Sequence, residues 1–288
     1  MLPLDLYQGI EPAWCPGCGN FGMLKAFKQA LAELEIKPEE IALVSGIGQS
    51  GKFPHYLKCN MINGIHGRTL PVATGIRLAN HGLKVVATAG DGDCYGEGGN
   101  HLLAALRKNP DLTLVVHNNQ VYALTKGQAS PTTDQGIKTL LQPHGVAYPP
   151  LHALAIAVAQ DASWLGRGFA GRGGHLTGLY KQALTHKGFA LLEVLQPCVS
   201  FNKVNTYQWY EKRVYDVEAE PDYDPENELW AYQKAKEWGD RIPIGVIYRR
   251  SRPTLEEAHP VLQAGPLVRQ HPERPVAALL ADSPESPP

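Results

Sequence analysis

The sequence predicts an α/β fold, a mostly parallel sheet with helices on both faces. Three observations predict it. Short apolar or β-branched runs recur at 41–44, 84–89, 112–117 and 189–195. Helix-like stretches at 21–34, 70–79, 100–107 and 176–185 alternate with them. The Gly- and Asn-rich turns fall just past strand-like runs, where sheets of this class bind ligands.

The runs have the length of strands buried on both faces. Past residue 200 the pattern loosens. Residues 211–224 are charged and aromatic, and 226–238 reads as one amphipathic helix. Residues 249–288 are rich in Pro and polar side chains and end in Ser-Pro-Glu-Ser-Pro-Pro. This predicts an α/β domain over 1–200 and a partner-contacting extension over 201–288. The last dozen residues read as a tail that orders only on a partner.

At 288 residues the chain is long enough to bury a sizeable core. Its net charge of −1 gives no long-range field for nucleic acid or an anionic membrane. No apolar run reaches the ~18 residues a spanning helix needs, and the first residues carry no basic, apolar leader. The expected compartment is the cytoplasm. Charged residues make up 19%, below the usual share of about 25%, which suits a subunit whose surface is partly covered. Five cysteines, Cys15, Cys18, Cys59, Cys94 and Cys198, are an odd count. That argues against a disulfide framework and leaves metal or redox use.

The run 84–89 leads into Gly90-Asp91-Gly92-Asp93, and the run 112–117 into Asn118-Asn119. A diphosphate needs close backbone and neutralised charge. Glycines permit the approach, and one carboxylate with one amide oxygen forms a partial shell for Mg²⁺. Gly-Asp-Gly alone also reads as a tight turn with an Asx bond. The pair of motifs at neighbouring strand ends is more specific. Cys15-Pro16-Gly17-Cys18 is half of a thiolate site, which reads equally as a redox dithiol, half a zinc site or half an iron–sulfur site.

Gly-Asp-Gly followed by Asn-Asn resembles the thiamine-diphosphate signature. Trp14-Cys15-Pro16-Gly17-Cys18-Gly19-Asn20, Ile65-His66-Gly67-Arg68, Leu70-Pro71-Val72-Ala73-Thr74-Gly75, Gly98-Gly99-Asn100-His101 and the stretch from Tyr122 to Gln128 are similar to β subunits of 2-oxoacid:ferredoxin oxidoreductases. The likeness covers about 12–202, with a looser echo at 242–248. It implies that Asp91, Asn119 and the Val121 carbonyl hold Mg²⁺. It places Gly90, Gly92 and Asp93 along the diphosphate and counts Tyr122, Ala123, Leu124 and Thr125 among the cofactor-binding residues. Gly46, Ile47, Gly48 and His66 would lie near the cofactor, with His66 and Lys52 as catalytic candidates. Lys52 would meet a substrate carboxylate; the plainer reading is a solvated lysine. His66 reads otherwise as a structural histidine.

The resemblance also implies a 4Fe–4S cluster on Cys15, Cys18, Cys198 and a cysteine in Gly-Ile-Gly-Cys-Ser-Gly. Here the sequence departs, since Gln49 stands in that place. The expectation is that Cys59 takes the role, the alternatives being a three-cysteine cluster with another ligand or a cluster that is labile or lost. Cys94 is expected to be a packed thiol near the cofactor. The implied reaction turns a 2-oxoacid and coenzyme A into acyl-CoA and CO₂, with electrons leaving through the cluster to ferredoxin, or runs in reverse. 2-Oxoglutarate is favoured slightly over pyruvate. The implied partner is an α subunit that supplies the glutamate activating thiamine, in a heterodimer or a dimer of heterodimers. The competing readings are a cluster-free thiamine decarboxylase or synthase subunit and a non-catalytic redox sensor.

Overall fold

The computed structural model describes residues 1–270, and the expected tail lies outside them. The helices are α1 (Gly19–Glu33), α2 (Thr69–Ala79), α3 (Gly99–Lys108), α4 (Ala153–Ala159), α5 (Gly173–Thr185), α6 (Tyr207–Glu211), α7 (Glu228–Lys236) and α8 (Pro260–Gln263). The strands are β1 (Ile41–Ser45), β2 (Asn60–Asn63), β3 (Lys84–Gly90), β4 (Thr113–Asn118), β5 (Trp164–Phe169), β6 (Ala190–Leu195), β7 (Val214–Asp216) and β8 (Ile242–Arg249).

They form one sheet in the order β2-β1-β3-β4-β6-β5-β8-β7. β2 through β5 run parallel, β8 pairs antiparallel with β5, and β7 runs parallel to β8. Side chains alternate across the sheet, as strand geometry requires. Ala42 and Val44 of β1 face one core with Leu70 of α2, Leu106 of α3, Leu154 of α4 and Ala231 of α7. Ile41 and Leu43 face the other, with Phe27 of α1 and Tyr180 of α5. Helices therefore cover both faces, and the apolar runs read from the sequence are the strands buried on both.

From β1 the chain steps outward to β2 and then returns past β1 to β3. This reversal opens a crevice at the carboxyl ends of β1 and β3, the place where open parallel sheets take ligands. Beyond residue 200 the chain rejoins the sheet. Ile242 to Tyr248 of β8 are buried throughout, and the expected helix over 226–238 is α7.

Candidate cofactor cleft and thiol pocket

A cleft lies at those carboxyl ends. Ile47, Gly48, Gln49 and Ser50 line it from the turn after β1, and Gly90, Asp91, Gly92 and Asp93 from the turn after β3. Asn119 and Val121 through Thr125 line it from the loop after β4, with His66 and His117. Nearly all the expected cofactor residues thus meet in one place. Gly46 stands behind it, where a Cβ would fall 1.9 Å from Asp93 Oδ2. Lys52 sits two residues past Ser50, on the short 3-10 helix Ser50–Tyr56, and does not line the cleft.

Asp91 is buried, and its Oδ2 accepts the hydroxyls of Ser130 at 2.5 Å and Thr132 at 2.6 Å. Burial pushes its carboxyl up to about 6, against the hydroxyl and backbone donors that lower it. A dication would reverse that penalty. Asn119 Oδ1 accepts the Val121 N–H at 3.1 Å, closing an Asx turn. Gln120 between them takes a left-handed φ of 56°. Its side chain is pinned by donation to the Thr132 carbonyl at 2.8 Å and by the Tyr210 hydroxyl at 3.0 Å. That held turn bends the chain leaving β4 so that Asn119 and Val121 both line the cleft.

After β3 the chain makes a wide turn, Gly92–Glu97, closed by the Gly98 N–H on the Asp93 carbonyl at 2.9 Å. Asp93 accepts the Gly67 N–H at 2.8 Å and pairs with His66 Nδ1 at 3.1 Å. Burial raises its carboxyl, while Gly67 and His66 pull it down. Gly67 has φ +69°, and a Cβ there would lie 2.6 Å from the Glu97 backbone. His66 also pairs with Glu97 at 3.2 Å. His117 is held between Thr88 and Asn20, and burial lowers it to about 3, so it is neutral.

These residues fit a magnesium diphosphate. Asp91, Asn119 and the Val121 carbonyl offer hard oxygens from two neighbouring strand ends. Ser50 Oγ is buried and without a partner among the described residues, on the cleft wall. Gly92 lets the Tyr122 ring lie where a Cβ would be 2.2 Å away. Ser50, His117, Ser130 and Thr132 were not singled out from the sequence. Ser130 and Thr132 reach Asp91 across 39 and 41 residues, a separation that no local pattern reports.

Cys15, Cys18 and Cys198 line a second pocket with Trp14, Gln49, Asn119, Gln196 and Phe201. Cys18 caps α1, and its N–H donates to the Cys15 carbonyl at 3.0 Å. Gln196 Nε2 lies 3.4 Å from Cys18 Sγ. Burial raises the Cys18 thiol to about 11, and Cys198 and Cys15 add to the rise. Iron would remove that proton. Among the described residues no three His, Cys, Asp or Glu side chains converge as a single metal ion needs. A cluster asks less, because each thiolate binds its own iron. Gln49, Asn119 and Ala123 line both this pocket and the cleft, so one thin wall separates them.

The structure does not bring Cys59 to this pocket. Asn60 pairs with Ala42 in the parallel register of β1 and β2, which sets Cys59 level with Ile41. Gln49 lies past Ser45, the other end of β1, and four strand steps span roughly 13 Å. The chain does double back over 50–58, but it travels the length of the sheet in doing so. The expectation of Cys59 as the fourth ligand is corrected accordingly. Cys94 is buried in the core with α2 and α3 and its thiol is raised by burial.

Residues 46–194 match the family model of the thiamine pyrophosphate enzyme C-terminal, TPP-binding domain. Residues 198–264 match the C-terminal model of the pyruvate ferredoxin oxidoreductase β subunit. A 2-oxoacid:ferredoxin oxidoreductase β subunit from Saccharolobus solfataricus is 44% identical over 247 residues, covering 82% of this chain and 81% of the relative. The chain belongs to the β subunits of the 2-oxoacid:ferredoxin oxidoreductases. It is thus a component of an oxidoreductase complex with a thiamine-diphosphate domain, and a β subunit implies an α partner. A Mycobacterium tuberculosis relative, 2-oxoglutarate oxidoreductase subunit KorB, is 42% identical over 198 residues, 69% of this chain and 53% of its own. A solved 2-oxoglutarate:ferredoxin oxidoreductase from Magnetococcus marinus, with 2-oxoglutarate, coenzyme A and succinyl-CoA bound, superposes with a TM-score of 0.90. That chain is 33% identical, and the match covers 99% of this β subunit and 97% of the other. Among the described residues no helix is long and apolar enough to cross a membrane.

Proposed function

We propose that this β subunit holds thiamine diphosphate and Mg²⁺ in the cleft and a 4Fe–4S cluster in the thiol pocket. The complex then converts 2-oxoglutarate and coenzyme A to succinyl-CoA and CO₂ while reducing ferredoxin, or runs in reverse. The observation that carries this reading is the shared wall of Gln49, Asn119 and Ala123. The cleft of Gly90-Asp91-Gly92 and Asn119 lies beside three thiols, which supports a cofactor that must hand electrons on one at a time. 2-Oxoglutarate is taken from the Mycobacterium tuberculosis and Magnetococcus marinus proteins, whose names specify it.

When bound, thiamine diphosphate supplies the carbanion and the electron sink. This chain's residues orient and polarise it. Asp91, Asn119 and the Val121 carbonyl hold the metal. Asp93, fixed by Gly67 and His66, shapes the diphosphate turn. His66 faces the cleft and is the candidate to bond a polar group of the cofactor or substrate. Lys52, two residues past Ser50 of the cleft wall, is the candidate for a carboxylate of the oxoacid.

The test is the purified complex. It should contain thiamine diphosphate, iron and acid-labile sulfide. It should reduce a viologen dye in the presence of 2-oxoglutarate and coenzyme A, and do so more slowly with pyruvate. A complex without bound thiamine diphosphate and without oxoacid-dependent dye reduction overturns the reading.

A further inference from the structure

The thiol pocket is built from four pieces of chain. The turn before α1 brings Cys15 and Cys18, and the turn after β6 brings Cys198. The turn after β1 brings Gln49, and the loop after β4 brings Asn119 and Ala123. A cuboidal cluster has four irons, each wanting one outer ligand. Two pieces of chain supply three thiolates, and the other two supply none. Cys59 lies at the opposite end of the sheet, and Cys94 is buried in the core with α2 and α3.

The polar side chains that complete the lining are Gln49, Asn119, Gln196 and Ser200; Ser200 lies two residues past Cys198 on the same piece of chain, and Asn119 is engaged with Val121 and with Gln196 Oε1 at 3.2 Å. The Gln196 amide donates toward Cys18 Sγ and to the Pro197 carbonyl at 2.9 Å. It supports a thiolate and is turned away from the role of ligand. Gln49 is anchored through its backbone, whose carbonyl accepts Trp14 Nε1 at 2.9 Å. Its position on the wall shared with the cleft puts a neutral amide between the two sites.

We infer that the cluster of this subunit is bound by only three thiolates, Cys15, Cys18 and Cys198, and that its fourth iron faces Gln49 and is exchangeable. This rests on the reading that the pocket holds a cluster. An amide oxygen is a hard, neutral donor and holds iron far less firmly than a thiolate. The fourth iron therefore leaves on oxidation. A one-electron oxidant such as ferricyanide takes one electron from [4Fe–4S]²⁺, and Fe²⁺ departs to leave [3Fe–4S]⁺. The charge balances, 2+ on each side once the electron is counted. Ferrous iron with a reductant reverses the step. With one thiolate charge fewer, the four-iron form also has a higher reduction potential than a four-cysteine cluster in the same pocket would have.

The test follows the wild-type complex, purified without oxygen, by iron analysis and electron paramagnetic resonance. One equivalent of ferricyanide should lower bound iron from about four per β subunit to about three and raise the near-isotropic signal of an oxidised three-iron cluster. Ferrous iron and dithionite should restore the original spectrum. Gln49→Cys should retain all its iron under the same treatment and show no three-iron signal. Gln49→Ala covers the case in which the cysteine variant does not assemble, and should convert at least as readily as wild type. Cys59→Ser should behave as wild type. A wild-type cluster that keeps its iron under ferricyanide, or a Cys59→Ser complex that loses its cluster, overturns the inference. A wild-type complex with no acid-labile sulfide overturns instead the reading of the pocket on which it rests.

Discussion

Asp91 carries an energetic demand that the protein alone leaves unmet. Its carboxylate is buried, and only hydroxyls and backbone N–H groups answer its charge. A buried anion without a cation is costly, and a dication held by Asp91 would relieve that cost. Asp91→Ala removes the one carboxylate read as a metal ligand. The expected result is thiamine diphosphate binding at least tenfold weaker in a Mg²⁺-dependent titration, about 1.4 kcal/mol. Unchanged affinity would move the metal elsewhere. Lys52 poses a different question, because it stands near the cleft without lining it. If it meets a substrate carboxylate at the mouth, that contact exists in ground and transition states alike. Lys52→Met should then raise KM for the preferred oxoacid more than it lowers kcat, and an equal KM would return Lys52 to solvent. The residues of the cleft were legible because Gly-Asp-Gly and Asn-Asn sit at strand ends. Ser130 and Thr132 were not, since ordinary hydroxyls in a long loop acquire meaning only once folded against Asp91.

Among the elements, β1, β3, β4 and β6 declare themselves as apolar runs because helices bury both of their faces. β2 and β5 do not. β2 is a short, exposed edge strand reading Asn-Met-Ile-Asn. β5 reads Trp-Leu-Gly-Arg-Gly-Phe and is wholly buried despite its arginine. The reason lies on β6, where Glu193 Oε2 accepts Arg167 Nε at 3.0 Å. Glu193 Oε1 accepts the Tyr95 hydroxyl at 3.1 Å and Asn118 Nδ2 at 3.2 Å. The ion pair thus reaches the end of β4, next to Asn119 of the cleft. Removing one partner of such a pair strands the other charge. Arg167→Met should cost about 3 kcal/mol, seen as a lower midpoint in thermal or denaturant unfolding. A variant as stable as wild type would show that water relieves Glu193. Missing β2 is also why the sequence misplaced Cys59. Without that strand the segment 52–63 looks like a free loop, and with it the register pins Cys59 to the far end of the sheet.

At the scale of the whole molecule, the sheet continues through β8 and β7, so the stretch past 200 is part of its framework. Its ties run deep into the chain. Arg77 of α2 pairs with both Asp111 and Glu256 at 2.6 Å. Those strands escaped notice because β8 contains Pro243 and Gly245, which weaken a strand signal.

The resemblance implies a catalyst completed by the α partner. Thiamine chemistry requires a carboxylate that activates the aminopyrimidine, and the carboxylates lining the cleft are Asp91 and Asp93. Both are committed, Asp91 to Ser130 and Thr132, Asp93 to Gly67 and His66. The rim of the cleft is apolar and exposed at Leu124 and beside it at Ile65, which is 69% accessible. Exposed apolar side chains at a cleft edge suit burial against a partner. The α partner implied by the family would cover it and bring the missing glutamate. Expressed alone, the chain should show no oxoacid-dependent reduction of a viologen dye, and co-expression with its α subunit should restore it. The control is binding. The isolated chain should still take up thiamine diphosphate and Mg²⁺, since every residue read as holding them is its own. Robust turnover by the isolated chain would mean that a carboxylate of this subunit does the activating, and that Asp93 or Glu97 is freed from its partners when the cofactor arrives.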